Sequence, residues 1–225
     1  MNDDASLARP GAARFLIGPL AALLLAVPVL ADPVQRPQEK NDAAKVAKKL
    51  EKAVAKAHQA EKEHEALRRF REEVAEYADL HAKQLAKLGS RAEAVAGEKA
   101  LAQAIEAKRD KARPGDIFRP EVQPLFRRLL AEQLKGPDTL DARKAVLDGN
   151  PAHEEDSVPV VLRVNAVYPA GAPRSTVPPS VLLTLPPLPA CLHYRFVGRD
   201  LILVDSVAQL IVDVLPAAAP DLATK

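Results

Sequence analysis

The stretch HYRFVGRDLILVD, residues 193–205, is a run of strand-forming residues interrupted by one Gly-Arg pair. Gly198 and Arg199 suit a two-residue hairpin turn with glycine first. Because successive side chains of a strand point to opposite faces, this turn collects the large residues on one face. The predicted register sets Phe196 opposite Leu201 and Tyr194 opposite Leu203, with Leu192 on the same face. We therefore interpret the stretch as the core of a small domain and not as a chemical site.

A third strand extends this hairpin in the prediction. A turn at residues 206–207 gives a three-stranded antiparallel meander that shares one apolar face. Its register pairs Leu210 with Leu203 and Val212 with Leu201. Upstream, residues 158–169 (VPVVLRVNAVYP) alternate in polarity and predict a further strand. Its inward face would carry Val160, Leu162, Val164, Ala166 and Tyr168.

Helices are predicted to cover the meander. Residues 119–137 carry one apolar face and end at a Gly-Pro pair; Pro120 suits the first helical position and Pro124 the first turn. This face holds Val122, Leu125, Phe126, Leu129 and Leu130. Asp138 can cap a second helix that ends near residue 149, with Leu140 and Val146 inward. One helical turn is expected around residues 179–185. The whole is a small α+β domain, residues 114–216, followed by a tail, residues 217–225.

Residues 39–113 predict a long helical hairpin arm with coiled-coil character. The first helix lacks Pro and Gly and is rich in Ala, Lys, Glu and Leu. Gly89 would end it, and Ser90 and Glu93 match a capping box for a second helix over residues 91–112. Phe70 and Tyr77 border the stripe. The stripe itself, at 3.5-residue spacing, is Val46, Leu50, Ala53, Ala57, Ala60, His64, Leu67, Arg71, Val74, Ala78, His81, Leu85 and Leu88.

Charges along this arm are segregated. A basic end carries Lys45, Lys48, Lys49, Lys52 and Lys56. An acidic stretch follows, with Glu61, Glu65, Glu72, Glu76 and Asp79, and the second helix would set Lys99, Lys108, Arg109 and Lys111 beside it. The basic end is then either a solvated face or a docking face for an anionic partner, such as an envelope protein or an anionic envelope component. Antiparallel pairing of two arms, which forms a homodimer, is a further possibility.

The N-terminus predicts export. Residues 15–31 (FLIGPLAALLLAVPVLA) are apolar, and Val29 and Ala31 occupy the small-residue positions of a signal-peptide cleavage site. We predict a signal peptide over residues 1–31, a linker over residues 32–38, and a periplasmic or secreted mature protein. The alternative is an uncleaved inner-membrane anchor through residues 15–31, and only that case implies a membrane partner.

Cys191, His193 and Arg195 are the one candidate site for catalysis. They lie on the same predicted strand face, where a thiol beside His and Arg can become nucleophilic. No third group is evident to orient the His, and no P-loop, Rossmann, HExxH or GxSxG motif occurs. The prediction therefore contains no catalytic, cofactor-binding or metal-binding residue. Lys and Arg total 32 against 30 for Asp and Glu, a balance that does not indicate nucleic-acid binding.

Three blocks carry a resemblance: GDIFRPEVQPLFRRLL (residues 115–130), VNAVYP (residues 164–169) and YRFVGRDLILVD…AQLIVDVLP (residues 194–216). In this order they resemble a family of secreted bacterial proteins without an assigned activity. The resemblance covers the C-terminal half and implies a bacterial envelope or secreted setting, but it transfers no functional residue. The arm is similar in composition to coiled-coil proteins, among them periplasmic chaperones that hold clients between helical arms.

Together these features favour an exported protein with a non-catalytic binding or structural role. Two alternatives stay open: a periplasmic chaperone-like holder that uses the arm, and a hydrolase or thiol enzyme that uses the Cys191/His193/Arg195 face.

Overall fold

The computed structural model describes residues 36–89, 95–135, 139–148, 160–169, 172 and 177–221, with backbone only for residues 36–42, 95, 147 and 148. The chain divides into two compact units, Met1–Lys49 and Leu50–Lys225. In the first unit, the structure describes residues 36–49. These residues are helical, and the side chains described there, residues 43–49, are exposed. The predicted signal peptide lies outside the described residues.

Five helices and three strands are described, which confirms the α+β class. The helices are α1 (Arg36–Leu88), α2 (Val95–Lys108), α3 (Gln123–Leu134), α4 (Leu140–Asp148) and α5 (Pro179–Leu182). The strands are β1 (Leu192–Val197), β2 (Asp200–Asp205) and β3 (Ile211–Leu215), in the order β1-β2-β3 in one antiparallel sheet.

The long helix α1 begins at Arg36, inside the predicted linker, and ends where the sequence predicts. Gly89 has φ +54°, a left-handed conformation that glycine adopts without a Cβ clash. The predicted capping box at Ser90 and Glu93 lies outside the described residues. Helix α2 ends at Lys108, earlier than predicted, and its Leu101 and Ile105 are fully buried.

Helix α3 agrees with its predicted inward face but starts later. It begins at Gln123, so Pro124 stands in its first turn as predicted, whereas Pro120 belongs to the preceding turn. Leu129 of the predicted face is only half-buried, and the other four are buried. In α4, Val146 is buried, but Leu140 is 63% exposed, so its predicted inward position is wrong.

The β1–β2 hairpin is confirmed residue by residue. Phe196 pairs with Leu201 and Tyr194 pairs with Leu203 across a turn in which Gly198 has φ +59°. The side chains on the face that this register creates all lie in the main hydrophobic core. They are Leu192, Tyr194, Phe196, Leu201 and Leu203.

The predicted β2–β3 register is wrong. Leu203 pairs with Asp213, and the next pair is Val204 with Ile211, so Val212 is an extra residue in a β-bulge. The turn is longer than two residues, because the Asp205 Oδ1 atom accepts hydrogen bonds from two amides of residues 207–208 and widens the loop. The bulge has a consequence for the core, since it places the Asp213 carboxylate on the helix-covered side of the sheet.

The predicted strand over residues 158–169 is also wrong. Of its described part, only Val167 makes a ladder contact, an isolated bridge to Leu210, and Asn165 takes φ +64°, which breaks the extended conformation. The segment instead packs across the outer face of the sheet. There a second small core joins Tyr168 and Ala172 with Ile202, Val204, Ile211 and Val214.

The main hydrophobic core extends across position 114, from Ala66 of α1 to Ala219 of the predicted tail. Its centre is an aromatic cluster in which Phe70 lies 5.0 Å from Phe126 and 5.8 Å from Phe118, between ring centroids. The buried stripe of α1 is therefore centred on Phe70 and Tyr77, the residues that border the predicted one. This buried stripe is Ala66, Phe70, Val74, Tyr77, His81 and Gln84.

Only part of α1 contributes to this core. We call residues 50–62 the exposed segment, since every side chain there is exposed, and residues 63–85 the packed segment. In the exposed segment Leu50 is 63% and Val54 46% accessible to solvent. The predicted stripe therefore continues as a sequence pattern through α1, but of its members only Val74 and His81, both in the packed segment, are buried.

Candidate functional site

The outer face of β1 holds part of the candidate catalytic set. His193 and Arg195 line a small pocket of about 190 Å³. We call it the outer pocket; its described lining is Tyr168, His193, Arg195, Val204, Ser206 and Gln209. The structure thus brings two of the three predicted residues to one cavity.

Cys191 is not among the described residues that line the outer pocket, and it packs against the main core instead. Its carbonyl oxygen accepts the Ser206 amide at 2.9 Å, which ties the start of β1 to the loop after β2. Burial raises the pKa of the Cys191 thiol, and the Asp205 carboxylate raises it further. A raised pKa lowers the thiolate fraction at neutral pH, which disfavours nucleophilic chemistry.

His193 is also poorly suited to activate a thiol. Burial lowers the pKa of its imidazole, and the neighbouring Arg195 guanidinium lowers it further. The neutral ring is therefore the main form at pH 7, and no imidazolium stabilises a thiolate. The arrangement therefore lacks the imidazolium–thiolate pair that thiol chemistry requires.

A buried polar network lies on the other side of the sheet. The Asp205 Oδ2 atom accepts the Tyr77 hydroxyl at 2.7 Å and His81 Nδ1 at 2.6 Å. Asp205 is fully buried, and Tyr77 and His81 are nearly so. Burial alone would raise the pKa of Asp205, but the hydrogen bonds from His81, from the Ala208 amide and from Tyr77 hold it below its ordinary value. The carboxylate is thus ionised, and His81 Nδ1 must donate to it.

The same carboxylate organises both α1 and the loop after β2. While Oδ2 receives the two α1 side chains, Oδ1 accepts the amides of Val207 at 2.9 Å and Ala208 at 2.8 Å. One ionised group therefore has four donors, which is what a buried charge requires. This network fixes the packed segment of α1 to the end of β2, the central strand of the sheet.

A second buried carboxylate, Asp213 on β3, holds the GDIF segment. Its oxygens accept the amides of Gly115, Ile117 and Phe118 at 2.7, 2.8 and 2.6 Å, together with its neighbour Val214. Burial raises the pKa of Asp213, and these amides offset part of that rise. The motif that contributes to the family resemblance is therefore explained by packing, because it seats Phe118 in the aromatic cluster.

Arg109, which follows α2 in the chain, contacts Tyr77 of α1, Val212 of β3 and Asn165. Its guanidinium lies 5.1 Å from the Tyr77 ring centroid and donates to the Val212 carbonyl at 3.2 Å. The Asn165 side chain donates to the Arg109 carbonyl at 2.6 Å. Arg109 is therefore structural, and it also lies beside Glu76 of the predicted acidic stretch, with which it lines one pocket.

The acidic residues of α1 that form ion pairs with distant described residues are Glu63 and Glu73. Glu63 binds Arg128 of α3 at 2.6 and 2.8 Å, and Glu73 binds Arg119. The Arg128 guanidinium lowers the pKa of Glu63 to about 2. The distant ion-pair partners of the packed segment, among the described residues, thus belong to α3 and to the turn before it. They are not the lysines of α2.

Sequence reasoning missed the buried roles of Asp205, Asp213 and His81. In the sequence, Asp205 adjoins the predicted turn at residues 206–207 and His81 is a member of the predicted stripe, and neither position alone indicates a buried polar group. The available signal was their spacing: Asp213 interrupts the apolar run IVDVL, and His81 follows Tyr77 by four residues on one helix face. A polar residue at a position that periodicity assigns to the core indicates a buried, satisfied group.

Similarity to known proteins assigns no function to this chain. Among the described residues, no three His, Cys, Asp or Glu side chains cluster as a metal site. None of the described helices is both long and apolar enough to span a bilayer. No protein-family model, curated protein or solved structure matches the chain.

Proposed function

We propose that this is an exported protein of the bacterial envelope, or a secreted one, with a non-catalytic binding role carried by the exposed segment of α1. The observation that supports the proposal is the exposure of Leu50 and Val54, one helical turn apart. Large apolar side chains aligned on an exposed helix face are typical of a partner-binding surface.

Charge favours an anionic partner. Lys52 and Lys56 are exposed on the same segment, which lacks Arg and has Glu51 and Glu61 as its acidic residues. Such a helix attracts an acidic protein or another anionic envelope component, while Leu50 and Val54 supply apolar contact. A second copy of the chain, paired antiparallel so that these lysines meet the acidic residues of the packed segment, is a second form of the same proposal.

Photo-crosslinking in living cells tests the proposal. A photoreactive amino acid at position 50 should crosslink to an envelope component, and Lys52→Glu with Lys56→Glu should reduce the product. Position 140 is the matched control, because Leu50 and Leu140 are equally exposed at 63%. Equal labelling at positions 50 and 140, or a protein retained in the cytoplasm, contradicts the proposal. A product of twice the chain's mass identifies the homodimer.

A groove supports one further candidate, a chaperone-like holder. It has a volume of about 890 Å³ and lies between α1 and the start of α3, where Ala66, Pro124 and Leu125 form apolar parts of its wall. A holder must suppress the aggregation of an unfolded client in proportion to its concentration. Ala66 and Leu125 contribute to the core, so Pro124→Glu, at an exposed position in the first turn of α3, is the informative variant; unchanged suppression in P124E excludes this groove as the holding surface.

A further inference from the structure

The groove between α1 and the start of α3 has an acidic lining. Its charged residues are Glu61, Glu63, Glu65 and Glu121 against Lys62 and Arg69. Glu63 is neutralised by Arg128, whose guanidinium binds it at 2.6 and 2.8 Å and ties the two walls together. Glu61 and Glu121 form no hydrogen bond or ion pair with any residue that the structure describes. The groove is therefore preformed and carries unpaired negative charge.

Residues 50–57 of the exposed segment carry the opposite charge. Lys52 and Lys56 stand against Glu51 and give a net positive charge. The two lysines are exposed and lie one helical turn apart, and neither forms a hydrogen bond or ion pair within the described part of the chain. Like charges at this spacing repel each other on a helix. A carboxylate from outside the segment would therefore be favourable beside them.

The apolar side chains of the same residues face away from their own domain. Because an α-helix turns by about 100° per residue, Leu50 and Val54 point about 160° away from Phe70, which lies in the core. Residues 50–66 contain neither Pro nor Gly, and α1 is continuous through them, so Leu50 stays about 24 Å from Ala66 in the groove wall. A helix cannot fold into a groove of which it forms one wall. The groove and residues 50–57 of the same molecule therefore cannot meet.

We infer that the groove binds residues 50–57 of a second copy of this chain, and that each copy docks on the other. This inference rests on the proposed binding role of the exposed segment, and it names the partner. A second copy supplies a regular helix with positive charge for Glu61 and Glu121 and with apolar side chains for the wall at Pro124. Because the same two surfaces meet twice, the assembly closes as a two-fold dimer.

An antiparallel arrangement brings the complementary groups to the same level. With the two-fold axis near residue 58, Leu50 of one copy lies level with Ala66 of the other, because these positions are equally far from the axis. Lys56 lies level with position 60 of the other copy, about 1.5 Å along the helix from Glu61, and Lys52 lies within one turn of Glu61. The groove wall therefore meets the apolar side chains, and Glu61 meets the lysines.

Charge reversal tests this pairing by sedimentation equilibrium of the natively processed protein. The Lys52→Glu, Lys56→Glu variant and the Glu61→Lys, Glu121→Lys variant should each raise the dimer dissociation constant at least about tenfold, because like charges then face each other in both contacts. An equimolar mixture of the two variants should return to within about threefold of the wild type. In the mixed dimer, the acidic segment of one variant meets the basic groove of the other, and the second contact keeps the native charges on both sides.

Lys83→Glu with Lys144→Glu is the matched control, because both lysines are exposed and lie outside the groove lining and residues 50–57. Its dissociation constant should equal that of the wild type. A wild type that stays monomeric up to millimolar concentration overturns the inference. The same follows from a mixture that dimerises no better than either variant alone while circular dichroism shows that both variants are folded.

Crosslinking separates this inference from the proposed function on which it rests. A photoreactive amino acid at position 124, which is exposed in the groove wall, should label residues 50–57 of a second copy. If positions 50 and 124 label a different envelope protein instead, the binding role of the exposed segment stands and the second copy is not its partner. Absence of a product from position 124 in a sample that sediments as a dimer also overturns the inference.

Discussion

The exposed and packed segments of α1 are two parts of one helix that differ in the burial of their side chains. Both are rich in Ala and in charged residues, and both carry an apolar residue at each turn. Residues 50–62 have only exposed side chains, whereas Phe70, Val74 and Tyr77 of the packed segment are at most 3% exposed. Helix propensity therefore accounts for α1 as a helix throughout, but it does not select the segment that joins a core.

Aromatic side chains and one buried carboxylate make the difference. Phe70 reaches across to Phe118 and Phe126, and Tyr77 hydrogen-bonds Asp205. The exposed segment has Ala, Val and Leu on its apolar face and no aromatic residue. Large rings bury much more area than Ala or Val, so contact with the sheet is favourable only where they occur.

The largest effect is expected from truncation of an aromatic ring in the packed segment. Phe70→Ala should lower the free energy of unfolding by about 3–5 kcal/mol, because it leaves a cavity in the aromatic cluster. Leu50→Ala should change it by less than about 0.5 kcal/mol, since an exposed side chain loses no packing. Urea denaturation of both variants measures the difference. Equal losses would mean that a partner or the fold itself covers the exposed segment.

The second-largest loss of stability is expected when the Asp205 charge is removed. Asp205→Asn should cost about 3 kcal/mol, because Tyr77, His81 and two amides then compete for a single carbonyl oxygen. Asp200→Asn is the control at the other end of β2: its carboxylate is partly exposed and accepts the Ala217 amide at 2.7 Å, so about 1 kcal/mol is expected.

The Asp205 effect should also depend on pH. Because its pKa is lowered in the folded state, its stabilising contribution is present above the unfolded value of about 3.9 and is lost as the pH falls through the folded pKa. The difference between wild type and D205N should therefore narrow on acidification. A difference that is constant from pH 7 to the acid transition would show that Asp205 is not ionised in the fold.

The smallest effect concerns the ion pair at the start of the packed segment. Arg128→Gln removes the partner of Glu63 and should cost at most about 1 kcal/mol, because the guanidinium is half exposed. The pKa of Glu63 is lowered to about 2, so this contribution is complete above about pH 4.5 and disappears between pH 4.5 and 2. Arg69→Gln breaks a pair within α1 and is the matched control. A larger effect in R69Q than in R128Q would contradict a tertiary role for the Glu63–Arg128 pair.

Local sequence patterns predicted the structure correctly wherever one residue type fixes the backbone conformation. Gly198 defines the β1–β2 turn, Gly89 the end of α1, and Pro124 the first turn of α3, and all three agree with the structure. The predictions failed where a distant group decides. The β2–β3 loop is shaped by the Asp205 carboxylate, and Asn165 breaks the predicted strand while it bonds to Arg109 and to the Ile211 carbonyl.

The residues of the candidate site likewise fall into two groups: some follow from a local sequence pattern, and others are decided by distant contacts. Strand alternation predicts that His193 and Arg195 share a face, because that face follows from the period of two. Alternation also assigns Cys191 to it, but Cys191 precedes β1, and its side chain packs against the main core. Gln209 had no sequence signal, since its place in the lining of the outer pocket arises from the fold of the β2–β3 loop.

The sequence by itself determined the class, the long helix, the hairpin register and the residues on its inner face, because these depend on local conformational preference and on periodicity. Tertiary structure decided which half of α1 is buried, that two aspartates and a histidine belong inside, and that a polar pocket forms on the outer face. These outcomes depend on which groups meet across the chain. A buried carboxylate is stable only where its donors converge, and no local pattern records their convergence.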